Sequence, residues 1–344
     1  MKKRKIFLLA MVVFSVLLTS FSFYFYQMFY GANILIDQTD RPITIEYGDG
    51  FDEVRNKFYD ANIINDPISF SFVSKTLGYQ ELVKPGVYFM KSGMSNIEAV
   101  RMLRSGNQMP VRITFNNVRL KSELAEKITN NTGIESAEFE ALLNDDAFLE
   151  EYGVNTENVM TLFLPNTYEV YWTIKAKELF AKMAEEHKKF WTTDRIAKAS
   201  ALDLTPVQVS VLASIVQAES IKNDERPTIA GLYLNRLEKN IALQADPTLV
   251  FALGDFTIQR VLNEHKRVQS PYNTYLNRGL PPGPINLPTI SSIDAVLNYE
   301  KHDYIYMCAK EDFSGYHRFA KTLVQHNKNA ALFQKALNER RIFR

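Results

Sequence analysis

The chain has 344 residues, a formal net charge of +1 and a single cysteine, Cys308. The near-neutral balance gives no global attraction to nucleic acid, and one thiol excludes both an intrachain disulfide and a four-thiolate zinc site. The length allows two or three domains.

Lys2, Lys3, Arg4 and Lys5 precede an apolar run from Ile6 to Tyr26 that contains no charge. About twenty helical residues span a hydrocarbon core of ~30 Å, so residues 6–26 read as a transmembrane segment. The run ends in FSFYFYQMFYG, an aromatic belt rather than a small-x-small cleavage site. It therefore reads as an uncleaved signal anchor. The positive-inside rule then puts the basic tail, residues 1–5, in the cytoplasm and everything after Tyr30 outside. The expectation is a single-pass protein of the cell (inner) membrane with an extracytoplasmic body.

Ala32 to Arg41 is a short polar connector. From residue 42 to residue 109 the pattern is that of a small module. Ile43, Ile45 and Tyr47 alternate with polar residues as in a strand, and Gly48-Asp49-Gly50 is a turn. Phe51, Val54 and Phe58 form a helical face, Pro67 to Leu77 a second helix, and Val87 to Phe89 a second strand. Ser95 caps a last helix, closed by Gly106. This order, ending in KPGVYFMKSGMSNIEAVRMLRSG, resembles a LysM-like module, a fold that binds N-acetylated glycans such as peptidoglycan. The same pattern also fits a small spacer with no ligand.

Residues 111–344 read as a larger α+β domain. Val111 to Phe115 is a strand, and Leu120 to Thr129 and Glu135 to Leu143 are amphipathic helices. Leu162 to Tyr171 is an apolar, aromatic strip broken by Pro165-Asn166, and one long polar helix is expected from Ala176 to Lys198. Helices follow from Pro227 to Lys239 and Ser292 to Tyr299. In Leu243-Gln244-Ala245-Asp246-Pro247-Thr248, Asp246 is expected to cap a short helix started by Pro247 and ended by Gly254. The run Gly279-Leu280-Pro281-Pro282-Gly283-Pro284-Ile285 must be a rigid loop. Tyr304 to Ala309 and Tyr316 to Lys321 read as a hairpin, and a final helix runs from Leu323 to Arg340.

The stretch VQVSVLASIVQAESIKNDER, residues 207–226, stands out. Thr205, Pro206 and Gln208 make a helix start, and Leu212, Ile215 and Val216 recur at helical spacing. Glu219 falls on the same face. A carboxylic acid at the end of an apolar stripe is desolvated, which raises its pKa toward the range of a general acid at neutral pH. A rim glutamate with a basic partner is the plainer reading of this window alone. The competing chemistries lack their motifs. None of His187, His265, His302, His317 and His326 has a partner at metal-ligand spacing, there is no G-x-S-x-G elbow, and no glycine-rich loop cradles phosphate. No cofactor is expected.

LASIVQAES with Glu225-Arg226, then LYLNRL, LQADPT, SPYNTYLNRGLPPGPI and YHRFAKTLVQHN lie in order from Leu212 to Asn327. Together they resemble the YceG-like (MltG) endolytic murein transglycosylase family. The resemblance implies a lyase that cleaves the β-1,4 bond between N-acetylmuramic acid and N-acetylglucosamine within a glycan strand. The muramoyl 6-hydroxyl attacks its own C1, giving a 1,6-anhydro end and limiting strand length. It implies Glu219 as the catalytic acid and base. Gln217 stands where some relatives carry another acid, and Asn166 where the family often has Asp.

Ser220, Arg226, Asn235, Gln244, Asp246, Thr248, Tyr272, Asn273 and Thr274 are the candidate substrate-binding residues. Arg226 and Asn235 read equally as orienting groups for Glu219 or as structural partners. Gln244, Asp246 and Thr248 read as sugar ligands or as helix-start polar groups. Tyr272, Asn273 and Thr274 suit a glycan cleft, of which the Gly279–Ile285 loop is expected to form a wall or, equally, to be pure scaffold. His317 on the last hairpin reads either as facing the site or, more plainly, as a satisfied surface histidine. The implied partners are peptidoglycan strands, the membrane and, by analogy with the family, peptidoglycan synthases. A non-catalytic, membrane-tethered peptidoglycan-binding scaffold is the alternative.

Overall fold

A computed structural model describes residues 2–34, 41–258 and 260–340. Residues 35–40 of the expected polar connector lie outside them. The chain divides into two compact units, both of mixed helix and sheet. The first is made by the chain up to Arg112 with Asn131–Ile134 and Glu169–Lys175, and the second by Ile113–Asn130, Glu135–Tyr168 and the chain from Ala176 on.

The first unit begins with helix α1 (Lys2–Tyr30), which is long and apolar enough to cross a membrane. Strand β1 (Arg41–Ile45), helices α2 (Phe51–Asp60) and α3 (Pro67–Thr76), strand β2 (Gly86–Met90) and helix α4 (Asn96–Ser105) follow. β1 and β2 pair antiparallel, with Ile43 opposite Tyr88. Ile45, Val54, Phe58, Phe70, Val73 and Leu103 close one core beneath them. The helix ends follow local chemistry. Asp66 accepts from the backbone of Ile68 and Ser69, Ser95 and Glu98 form a capping box, and Gly106 ends α4 at φ 75°.

Strands β3 (Pro110–Phe115) and β4 (Asn166–Tyr171) form a two-stranded sheet, so the Pro-Asn break opens a strand. Between them lie α5 (Lys121–Thr129), α6 (Ser136–Leu143) and α7 (Asp146–Glu150). The long helix expected to Lys198 is two: α8 (Ala176–Phe190) and α9 (Thr193–Ser200). The break has a local cause. Thr192 takes extended backbone and its hydroxyl accepts from Arg195 N–H, starting a new helix, while Trp191 turns into the core and donates its indole N–H to His187 Nε2 at 2.9 Å. Burial pushes the His187 imidazole down to about 4.

The heart of the second unit is α10 (Pro206–Glu219), capped by Thr205 and Gln208 as its sequence requires. Leu212, Ile215 and Val216 are fully buried, in one cluster with Ile229 and Leu232 of α11 (Arg226–Glu238) and Ile293 and Val296 of α13 (Ile290–Leu297). Each such side chain contributes roughly 1.5–3 kcal/mol of burial. Helix α12 (Asp246–Leu253) lies in the chain between α11 and α13. The unit ends in a hairpin, β5 (Tyr306–Ala309) antiparallel to β6 (His317–Ala320), and in α14 (Leu323–Glu339).

Candidate active site

The last residue of α10 is Glu219. Ser220 leaves the helix in extended backbone, and Arg226 fixes that exit by donating Nε–H to the Ser220 carbonyl at 3.1 Å and Nη1–H to Ser292 Oγ at 3.1 Å. Four hydrogen bonds brace the preceding turn. Gln217 Nε2 donates to Asn286 Oδ1 and to the Leu287 carbonyl, and Gln217 Oε1 accepts from Thr289 N–H and Ser292 Oγ–H. The proline-rich loop thus packs on α10, in keeping with the scaffolding role that its sequence equally allows. Ile285 is in the core with its N–H on Ser214 Oγ, and a Cβ at Gly283 would run into the Glu157 carbonyl oxygen.

Glu219 faces a cavity of about 420 Å³ in the second unit. Tyr233, buried on α11, donates its hydroxyl to Glu219 Oε1 at 2.6 Å. Desolvation dominates the carboxyl and pushes it up to about 7. The Tyr233 hydrogen bond pulls the other way, the Asp246 charge pushes further up, and His317 and Arg236 pull down. The carboxyl also sits at the negative end of the α10 dipole, which disfavours ionisation as well. Burial, with the Glu219 charge beside it, holds the Tyr233 phenol well above its ordinary value, so it remains a donor.

Two further carboxylates shape the wall. Asp246 lines the cavity and accepts the Tyr275 hydroxyl at 2.5 Å. It does not cap α12. Ala245 occupies the cap position and Asp246 is the first helical residue, freeing its carboxylate for the cavity. Glu225 is buried and holds His317 twice, accepting its backbone N–H at 2.6 Å and pairing with Nδ1 at 2.8 Å. Ser220 Oγ donates to the same carboxylate at 3.2 Å. Tyr316 adds a bond from its hydroxyl to Asp224 at 2.9 Å, pinning the hairpin beside the α10–α11 connection. His317, for which the sequence left both a surface and a site-facing reading, therefore lines the cavity with one ring nitrogen anchored.

Of the residues singled out from sequence, Glu219, Gln244 and Asp246 share the cavity. The others are engaged within the protein. Ser220 binds Glu225, and Asn235 Nδ2 donates to the carbonyls of His302 and Tyr304. Thr248 and Thr274 are buried and bonded to each other at 2.8 Å. Asn273 is buried, with its amide on the Lys266 and Val268 carbonyls, and Tyr272 packs on Phe251. Arg226 clasps the α10 exit, as described. Four residues at or behind the cavity went unremarked as site residues: Tyr233, Arg236, Tyr275 and Glu225. Arg236 is buried and donates to the carbonyls of Ile305, Ala242 and Leu243, which ties two backbone segments to the cavity rim. The signal for Tyr233 was present: a tyrosine on the buried face of a helix needs a partner for its hydroxyl.

The model of the YceG-like family matches residues 43–332. The chain belongs to this family. A relative from Bacillus subtilis strain 168, named endolytic murein transglycosylase, is 26% identical over 318 residues, covering 88% of this YceG-like chain and 87% of its own length. A relative of the same name from Streptococcus pneumoniae D39 is 24% identical over 363 residues, covering 95% of this chain, which spans 65% of that longer protein. A crystal structure of a YceG-like protein from Listeria monocytogenes matches 84% of this chain and 98% of its own, at 27% identity and a TM-score of 0.56.

Proposed function

We propose that this chain is an endolytic murein transglycosylase, a lyase acting on the glycan strands of peptidoglycan. The observation that carries the chemistry is Glu219: a cavity-facing carboxyl pushed up to about 7, with one neutral donor on it. At neutral pH a large share of it holds a proton that it can give away.

The reaction requires one such group. Protonated Glu219 gives its proton to the glycosidic oxygen as the bond from that oxygen to muramoyl C1 breaks. The muramoyl 6-hydroxyl forms the new bond to C1, and its proton returns to Glu219. The nucleophile is tethered to the substrate, so a second carboxylate is not needed. Tyr233 holds the Glu219 carboxyl in place. His317, anchored by Glu225, and Gln244 are the polar groups we assign to the sugar chain. The remaining candidates, Ser220, Arg226, Asn235, Thr248, Tyr272, Asn273 and Thr274, act through the frame that carries these groups.

The test is digestion of purified glycan strands followed by mass analysis of the fragments. Products with 1,6-anhydro ends and internal cleavage are expected. One observation favours a second reading: Asp246 faces the same cavity, and a carboxylate pair can serve hydrolysis. Reducing ends carrying one added water would establish that reading instead, and strands of unchanged length would leave only a binding scaffold.

We further propose that α1 is a single-pass anchor with residues 1–5 in the cytoplasm and everything after Tyr30 outside. The β1–α2–α3–β2 arrangement supports a LysM-like module that binds the same glycan. A synthase that makes the strand is the protein partner we propose. A periplasm-active reporter fused to the C-terminus is expected to be active, and a cytoplasm-active one silent.

A further inference from the structure

The first unit has an apolar surface that its own core leaves uncovered. Ile68 and Phe72 lie one turn apart on α3 and are 76% and 41% exposed. Lys75 follows them on the exposed side, while Phe70 and Val73 face the core.

This patch is continuous with α1. The Phe72 ring meets Phe25 edge-on at 5.6 Å and Phe29 at 6.2 Å. Polar bonds lock the same end of α1 to the unit. Asn96 Nδ2 donates to the Met28 carbonyl at 2.9 Å and to Ser69 Oγ at 2.9 Å, and Ala32 bridges to Ser95. Helix α3 is thus fixed beside the last turns of α1.

The level follows from helix geometry. At 1.5 Å per residue, a span that starts at Ile6 crosses ~30 Å of hydrocarbon by roughly residue 25. Phe25 then sits at the outer boundary, and Phe72, which touches it, sits at the same depth. Tyr26 and Tyr30, stacked at 5.4 Å, supply the aromatic pair common at that level.

We propose that the Ile68–Phe72 face of α3 lies in the outer lipid interface, so that the first unit rests on the membrane surface with Lys75 among the lipid phosphates. This rests on the reading of α1 as an anchor and goes beyond it. Lipid is the occupant because the medium that surrounds Phe25 reaches Phe72 without interruption. An apolar helix face flanked by a lysine is the composition that settles roughly 5–10 Å into the headgroup region.

The full chain carrying Cys308→Ala would be spin-labelled through Leu17→Cys or through Ile68→Cys. Each would be reconstituted in vesicles of phosphatidylcholine and phosphatidylglycerol. Relaxation by oxygen, which partitions into lipid, is compared with relaxation by a water-soluble nickel chelate. Residue 17 should be open to oxygen and closed to nickel. Residue 68 should favour oxygen over nickel by several-fold, placing it near the phosphates. If residue 17 is buried in lipid and residue 68 meets nickel freely, the interface proposal falls and the anchor stands. If residue 17 itself meets nickel, the anchor reading fails and the proposal with it. Shielding of residue 68 from both reagents would mean that protein covers the face, a second copy if the labels also broaden each other, and would overturn the lipid assignment.

Discussion

Glu219 and Glu311 belong to the same unit and have the same side chain, yet their surroundings drive them in opposite directions. Glu311, in the loop between β5 and β6, forms a two-pronged pair with the Arg318 guanidinium. That pair holds its carboxyl down at about 2. Glu219, at the end of α10, has one neutral hydroxyl donor, and burial carries it up to about 7. A full positive charge within hydrogen-bond reach makes a permanent anion. A phenol beside a half-buried carboxyl leaves it a proton that can be handed over. The difference lies in the partner, and the partner is set by the fold.

Each of five expectations breaks or sharpens that contrast. The largest effect is Glu219→Gln, which keeps the shape and the acceptor for Tyr233 but removes the proton. Strand cleavage should fall by at least about 10³-fold, toward the upper range for a lost general acid, with the circular dichroism spectrum unchanged. An active Glu219→Gln chain would end the comparison.

The same variant has a second consequence. The wild-type carboxyl releases its proton near 4.5 when unfolded and near 7 when folded. The contribution of the protonated group is therefore complete below pH 4.5 and is withdrawn as pH rises through 7. Glu219→Gln should be more stable than wild type at pH 8 by up to about 3 kcal/mol, and no more stable at pH 4. Urea titrations at the two pH values measure this directly.

Tyr233→Phe removes the one donor that favours the anion. Activity should drop about 10-fold, and the alkaline limb of kcat/KM, set near pH 7 by Glu219, should move upward. A downward move would show that the phenol is not what restrains the carboxyl. Glu225→Gln loosens His317 without touching Glu219. A loss of a few-fold is expected, carried mainly by KM, because we assign His317 to the sugar chain. The smallest effect is Glu311→Gln. Cleavage should be unchanged. The stability that its ionised form contributes is present above pH 4.5 and lost as pH falls through about 2. At neutral pH the variant should therefore be slightly less stable, a difference that disappears in strong acid.

What the sequence revealed of this contrast was the local half. Thr205, Pro206 and Gln208 mark the start of α10, and its apolar spacing puts Glu219 at the end of the buried stripe, so the acid and its partial desolvation were both legible. The strands β1 and β2, the hairpin and α14 were legible for the same reason, since alternation and turn residues are written in neighbouring positions. The partners were not. Tyr233 comes 14 residues after Glu219, and His317 comes 92 after Glu225. A helical stripe says that Tyr233 is buried but not what its hydroxyl meets. Asp246 followed by proline has the form of a helix cap, and only the approach of Tyr275, 29 residues on, gives its carboxylate another use. The break between α8 and α9 carries a local mark, the cap residue Thr192, but it sits inside a run of charged helix formers that masks it. The pull of Trp191 into the core decides it.

Gln217 carries a mechanical consequence. Its amide spends two donors and its oxygen two acceptances on residues 286–292, so the final turn of α10 and the loop after Pro284 move as one body. The loop does not line the cavity, yet it acts as a splint for Glu219, two positions further along the helix. An alanine at 217 would remove all four bonds and unfasten the splint. The aim of Glu219 would then blur before any charge reached the substrate. The stiffness of this acid is therefore a property of a loop that the sugar chain does not meet there.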